Sequence, residues 1–346
     1  MKNEEIMESN KIDKPEVAFF LRKPRKVGNY SVEFIFEDVK ARLKDEMQAY
    51  TFFSTYESAG LFKRLYNCIE ASFRQKRVNH VTGDINYLGL MLSKKRTIHT
   101  ILDCVFLSST SGIRHKILKL FWLTIPLNRS AYVTAISHAT KEEILKYKKN
   151  YRPERIVVIP VAISNKFKRK DKPFKKEKPV ILQVGAAHNK NIPRLIEALK
   201  GINCELHIVG KQNEEYEALL KQANIDYVYQ WGLTDEEMIK KYEEADMLAF
   251  VSTYEGFGMP ILEANAVGRP VVTANILSMP EVAGNAACLV DPYDVAAIRQ
   301  GITKVINDDD YRNTLIQKGF ENIKRFDPAL IANEYLALYK RVAAGQ

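Results

Sequence analysis

Short β-forming runs alternate with helical ones along this 346-residue chain, each pair taking about 10–15 residues. In the second half, residues 179–184, 206–209, 227–231, 247–251 and 270–273 read as strands. Residues 193–199, 213–223, 235–244 and 260–267 lie between them with helical spacing. A strand, a helix and a strand in that order close as a parallel unit, because parallel neighbours need a crossover connection. The first half has the same grammar. Residues 17–21, 96–102, 132–136 and 156–161 read as strands. Residues 31–43, 61–77 and the stretch from Thr140, with Ser137 as its N-cap, read as helices. The expected class is α/β: two doubly wound, Rossmann-like domains facing a cleft.

The division between them falls at residues 166–178, KFKRKDKPFKKEK, read as a solvated basic linker. Charge changes sign there. Residues 1–178 hold 36 Lys/Arg and 19 Asp/Glu, residues 179–346 hold 16 and 23, and the whole chain is +10. The composition, 46% hydrophobic and 27% charged, excludes a disordered chain. Taken alone, the positive charge suggests nucleic acid or an anionic membrane as partner, but no nucleic-acid motif appears. The polar N-terminus has no apolar core of a secretory signal, and the longest apolar stretch, 117–127, is too short to span a membrane. Cys68, Cys104, Cys204 and Cys288 have no zinc or CxxC spacing and read as free thiols in a reducing, cytoplasmic setting.

Residues 245–292 carry the chemistry. The chain leaves a strand near Val251, crosses Glu255, turns at Gly256-Phe257-Gly258 and starts a helix at Pro260 that Gly268 ends. Glycines before a helix N-terminus offer backbone N–H groups to an anion such as phosphate. Glu255 and Glu263, the latter placed in the first turn, straddle that turn. Two carboxylates so placed can accept hydrogen bonds from the paired hydroxyls of a ribose or hexose. Read singly, Glu255 would be a solvated loop residue and Glu263 a partner of the helix dipole.

The string EGFGMPILEA (255–264) closely resembles the EX7E motif of retaining GT-B glycosyltransferases, the glycosyltransferase family 4 group. The likeness continues through QWGL (230–233), YEEAD (242–246), GRPVV (268–272), PEVAG (280–284) and VDP (290–292), and covers nearly all of residues 179–330. It implies a nucleotide-sugar-binding domain over 179–329. Residues 1–165 would be the acceptor-binding domain, with the C-terminal helix, 330–346, returning to it. Glu263 would bind the nucleotide ribose and Glu255 the donor sugar. The backbone of Gly256, Phe257, Gly258 and Met259 would hold the sugar or the diphosphate. VGAAHNKN (184–191) matches the loop after the first donor-domain strand, so Gly185 would approach the donor and Lys190 would neutralise the leaving diphosphate.

Two departures stand out. Ala186 and Ala187 occupy the place of an Arg common in relatives, and Leu102 that of a His, although Asp103 beside it remains a catalytic candidate. His80 reads either as a cleft residue or as a structural one, and Gly28 either as a turn near the donor phosphates or as a plain turn. The resemblance implies front-face transfer in which the leaving phosphate takes the acceptor proton, with no enzymic nucleophile. No metal or cofactor is expected: the one DxD-like string, 308–310, reads as a helix start. The expected partners are a nucleotide sugar and a glycan or lipid-linked acceptor, without nucleic acid. The basic, apolar residues 113–129 read either as a face for an anionic membrane, with the protein peripheral on its inner side, or as an ordinary core helix with solvated charges. The function implied is hexosyl transfer in surface polysaccharide synthesis. A nucleotide-sugar epimerase and an inactive sugar-binding scaffold are the rivals.

Overall fold

The computed structural model describes residues 14–23, 31–108 and 110–346. Six parallel strands form a first sheet: β1 (Glu16–Leu21), β2 (Gln48–Phe53), β3 (Val78–Thr82), β4 (Thr97–Ile101), β5 (Tyr132–Ala135) and β6 (Ile156–Val158), in the order β2-β1-β3-β4-β5-β6. Six more form a second: β7 (Val180–Val184), β8 (Glu205–Val209), β9 (Asp226–Gln230), β10 (Met247–Phe250), β11 (Val271–Ala274) and β12 (Cys288–Val290), in the order β12-β11-β10-β7-β8-β9. Helices cover both faces, so the central strands are buried on both sides; Val17, Ala18 and Phe19 in β1 are fully buried, and so are the polar Asn79 and His80 of β3. The strand order reverses between β7 and β10. Their C-terminal loops diverge there and leave a crevice, which is where open parallel sheets bind ligands.

The last helix, Pro328–Ala343, lies on the first sheet. Ile331, Tyr335, Tyr339 and Val342 pack with Val17, Phe19 and Val78 in one core cluster. His80 belongs to this core and not to the cleft. It sits mid-strand in β3, fully buried, with Nδ1 2.8 Å from the Tyr339 hydroxyl and Nε2 2.7 Å from Thr100 Oγ1. Burial, with His99 nearby, drives its pKa down to about 3, so the ring is neutral. Tyr339→Phe should therefore strand a buried ring nitrogen and cost about 1–3 kcal/mol in denaturant unfolding. A loss below the measurement error would show that the hydroxyl is dispensable.

The basic connection is not freely solvated. Lys172 Nζ reaches the fully buried Asp246 carboxylate at 2.6 Å, and that carboxylate also accepts the Val180 N–H at 2.8 Å. Phe174 packs on the second core, with the Arg312 guanidinium 4.0 Å above its ring. Its excess charge hides one buried ion pair and one apolar anchor that strap it to the second sheet.

Candidate active site

Two loops meet at the strand-order reversal. The first follows β7. Gly185 turns there with φ +89°, and a side chain at that position would put its Cβ 2.6 Å from Lys190 Cε. Lys190 thus folds back over a residue that has to be glycine. Asn191, itself at φ 60°, ties this loop to the second one by donating to the Val251 carbonyl at 3.0 Å, and it also donates to the Pro292 carbonyl at 2.7 Å.

The second loop follows β10. Lys190 Nζ lies 2.6 Å from Glu255 Oε1 and 4.7 Å from the centre of the Phe250 ring. Both members of the pair are mostly buried, their side chains 18% and 15% exposed. Asn189 donates to the Tyr254 carbonyl at 2.8 Å and braces the same loop. Gly258 stands at φ +117° as the N-cap of helix Met259–Val267, and no side chain caps that end. Pro260 has no N–H to offer there, and the Ile261 N–H donates to the Gly258 carbonyl at 3.0 Å. Phe257 faces the core edge-on to Phe326, 5.7 Å between ring centres. Met259 also packs on this core. The Ser278 hydroxyl donates to the carbonyls of Glu255 at 2.9 Å and Phe257 at 2.7 Å, fixing the turn from behind.

Glu263 lies in the second turn of this helix, not the first, because the helix begins at Met259. One turn deeper, the carboxyl is half-buried and accepts the Tyr242 hydroxyl at 2.5 Å. Burial pushes it up to about 7, against the opposing pull of the Tyr242 hydroxyl and Lys190. Ionised, it is a pure acceptor; protonated, it loses that capacity at one oxygen. Affinity for a ribose-bearing ligand should rise as pH goes from about 6 to about 8, and Glu263→Gln should flatten the profile. Calorimetric titration of UDP or GDP across that range checks it. An unchanged slope in the variant would remove Glu263 from ribose binding.

The first domain closes against this loop. Gly256 fits under the end of β4, where an added Cβ would lie 2.3 Å from the Leu102 carbonyl oxygen and 2.9 Å from Asp103 Cβ. The Gly256 carbonyl accepts the hydroxyls of Ser137 at 2.8 Å and Thr140 at 3.1 Å. Burial holds Asp103 above the usual carboxylate range, and Asp84, Glu143 and Glu255 add to this. Gly28 lies outside the described residues.

Sequence reasoning missed two bridges between the domains. The Tyr254 hydroxyl donates to Glu143 at 2.6 Å and accepts the Cys104 N–H at 3.1 Å. Glu281 accepts the His138 N–H at 2.9 Å and so caps helix His138–Tyr147 from the other domain. The PEVAG string contains Glu281 and Ser137 reads as an N-cap, but nothing in either says that the two segments meet.

Two doubly wound domains closing over the β7/β10 reversal define the GT-B fold. Sucrose-phosphate synthase from Thermosynechococcus elongatus superposes with a TM-score of 0.78 at 16% identity, over 96% of this chain and 100% of that one. Anabaena HepE in complex with UDP and glucose does so with 0.73 at 14%, over 93% and 98%. Residues 164–322 match the family model of glycosyl transferases group 1. O-antigen chain mannosyltransferase B from Escherichia coli is 31% identical over 106 residues, 31% of this chain and 28% of that protein. The chain spans under a third of the length of the curated relatives it matches. Among the described residues, no helix is long and apolar enough to cross a membrane.

Proposed function

We propose that the protein is a retaining glycosyltransferase. It moves a hexose-type sugar from a nucleotide-sugar donor to a glycan or lipid-linked saccharide during surface polysaccharide synthesis. One observation carries this reading: the loops after β7 and β10 set Lys190 and Glu255 2.6 Å apart at the strand-order reversal, beside the uncapped N-terminus at Gly258. The E. coli relative named as an O-antigen chain mannosyltransferase and the UDP and glucose held by HepE support it.

In this reading Glu263 holds the nucleotide ribose and Glu255 the hydroxyls of the sugar. The diphosphate lies on the N–H groups of residues 256–259, and Lys190 turns from Glu255 to the developing charge on the leaving phosphate. Asp103 reaches the same space from the first domain. The acceptor hydroxyl attacks the face from which the phosphate departs, and that phosphate takes its proton. No enzymic nucleophile is used, and the reading calls for no metal, because Lys190 and the helix end supply the positive field. Such an enzyme works in the cytoplasm, where nucleotide sugars are made.

A panel of UDP-, GDP- and dTDP-sugars tests this. One nucleotude series should raise the melting temperature, and its sugar should appear in product with the anomeric configuration kept, read by NMR. An inverted product would overturn the retaining mechanism. Binding without turnover across all donors and saccharide acceptors would leave a sugar-binding scaffold.

A further inference from the structure

Among the described residues, Leu277 is the one bulky side chain held at positive φ. The other two non-glycine cases are Asn191 and Asn224, a residue type that tolerates a left-handed backbone. Leu277 stands at φ 54° and ψ −130°, the first central position of a type II′ turn, which is glycine's place. The helix it opens, Ser278–Ala283, supplies the comparison. Gly284 closes that helix at φ 55° and ψ −124°, the same conformation with no Cβ to strain it. One end of this short helix is relaxed and the other is strained.

The chain is clamped into this turn from both sides. Before it, the Asn275 N–H donates to the Val290 carbonyl at 2.9 Å, and Ile276 packs on the core. After it, the fully buried Ser278 donates to the Glu255 and Phe257 carbonyls, and Met279 is fully buried in the same core as Ile276. These anchors account for the positive φ at position 277. They do not account for leucine, since glycine meets the same anchors without strain. Core burial does not offset the strain either, because the side chain stays 36% exposed. A lone exposed leucine is ordinary. One held there against its backbone preference is not, and such strain gathers at functional sites. The position itself lies where the two domains meet the donor turn. One residue on, Ser278 holds the loop of Glu255; four residues on, Glu281 accepts the His138 N–H of the first domain at 2.9 Å.

We infer that Leu277 is a specificity-determining residue for the transferred sugar, its isobutyl group set against the apolar C–H face of the ring while Glu255 takes the hydroxyls. The inference rests on the sugar-transfer reading and narrows it. A carboxylate accepts hydrogen bonds from many arrangements of hydroxyls. An apolar wall discriminates more sharply, because a sugar that turns a hydroxyl toward it buries that hydroxyl without a partner. The class selected is a hexose or deoxyhexose with an uninterrupted C–H face on that side.

The test joins thermal melting to calorimetry of UDP-glucose, UDP-galactose, GDP-mannose, GDP-fucose, dTDP-glucose and dTDP-rhamnose, each set beside its free nucleotide. Leu277→Gly should melt about 2–4 °C higher as the strain goes. It should keep the affinity for the free nucleotide and bind the parent's preferred nucleotide sugar about tenfold more weakly. Its preference over the second sugar on the same nucleotide should shrink by a similar factor. Leu277→Met keeps an apolar side chain and should hold both affinities within a few-fold of the parent. A glycine variant that melts lower overturns the inference, because the leucine then packs within the fold. Parental affinity and preference for the sugar in the glycine variant overturn this inference alone. A parent that binds none of these nucleotides or nucleotide sugars overturns the sugar-transfer reading and this inference with it.

Discussion

Lys190→Gln should lower kcat/KM by about 10²–10³-fold, the usual cost of removing one preorganised charge from the transition state. The ammonium is held from three sides: its stem crosses Gly185, its end meets Glu255 at 2.6 Å, and the Phe250 ring lies 4.7 Å away. Glutamine keeps the stem and a hydrogen-bond donor and removes the charge. Most of the loss should fall on kcat, because the charge it answers grows as the phosphate leaves. Breaking the pair also leaves Glu255 without its cation, at a stability cost of about 1–2 kcal/mol, which unfolding measurements separate from the kinetic loss. Glu255→Ala should abolish measurable transfer, and the double variant should lose less than the sum of the two, since the pair acts as a unit. A Lys190→Gln enzyme within a few-fold of the parent would remove Lys190 from the chemistry.

The second sheet was legible because its signals are local. Pro260 opens a helix and Gly268, at φ 84°, closes it; both roles follow from backbone chemistry that one residue expresses. Ser137 likewise accepts the Thr140 N–H as a reader of N-caps expects. The reversal that makes the site is not local. β10 pairs with β7 across more than sixty residues, and no spacing announces it. The two readings of His80 stay open in the sequence for the same reason. Its strand looks able to end at a cleft until a helix 259 residues later lays Tyr339 over it. Strands β2, β3 and β12 escaped the pattern: β2 is an edge strand in which no residue of QAYTFF is buried, β3 buries a polar VNHVT, and β12 is three residues long. Exposed Phe62 and Phe73, in helix Leu61–Phe73, show the opposite limit. Their spacing reads as an ordinary amphipathic helix, and only the packing reveals which face is turned outward.

Gly256→Ala should cost about 10²-fold in kcat, the scale of a 1 Å misplacement of reacting groups, while nucleotide affinity stays near that of the parent. The objection to alanine is steric and not conformational, since position 256 is not among the glycines with positive φ. The new methyl would sit 2.3 Å from a backbone carbonyl oxygen, that of Leu102, and a strand end cannot swing aside as a side chain can. The domains would have to part. With them go the Ser137 and Thr140 hydrogen bonds to the Gly256 carbonyl, and the Glu143 and Glu281 bridges loosen on the same side. Lys190, Glu255 and Glu263 all stand on the second sheet, so a nucleotide should still find its proposed partners in the parted molecule. Gly258→Ala makes the contrast. There φ is +117°, the strain falls on the proposed phosphate turn itself, and nucleotide binding should weaken directly. If Gly256→Ala instead weakened nucleotide binding and spared kcat, the contact between Gly256 and Leu102 would serve the donor site alone, and closure of the first domain would have no part in transfer.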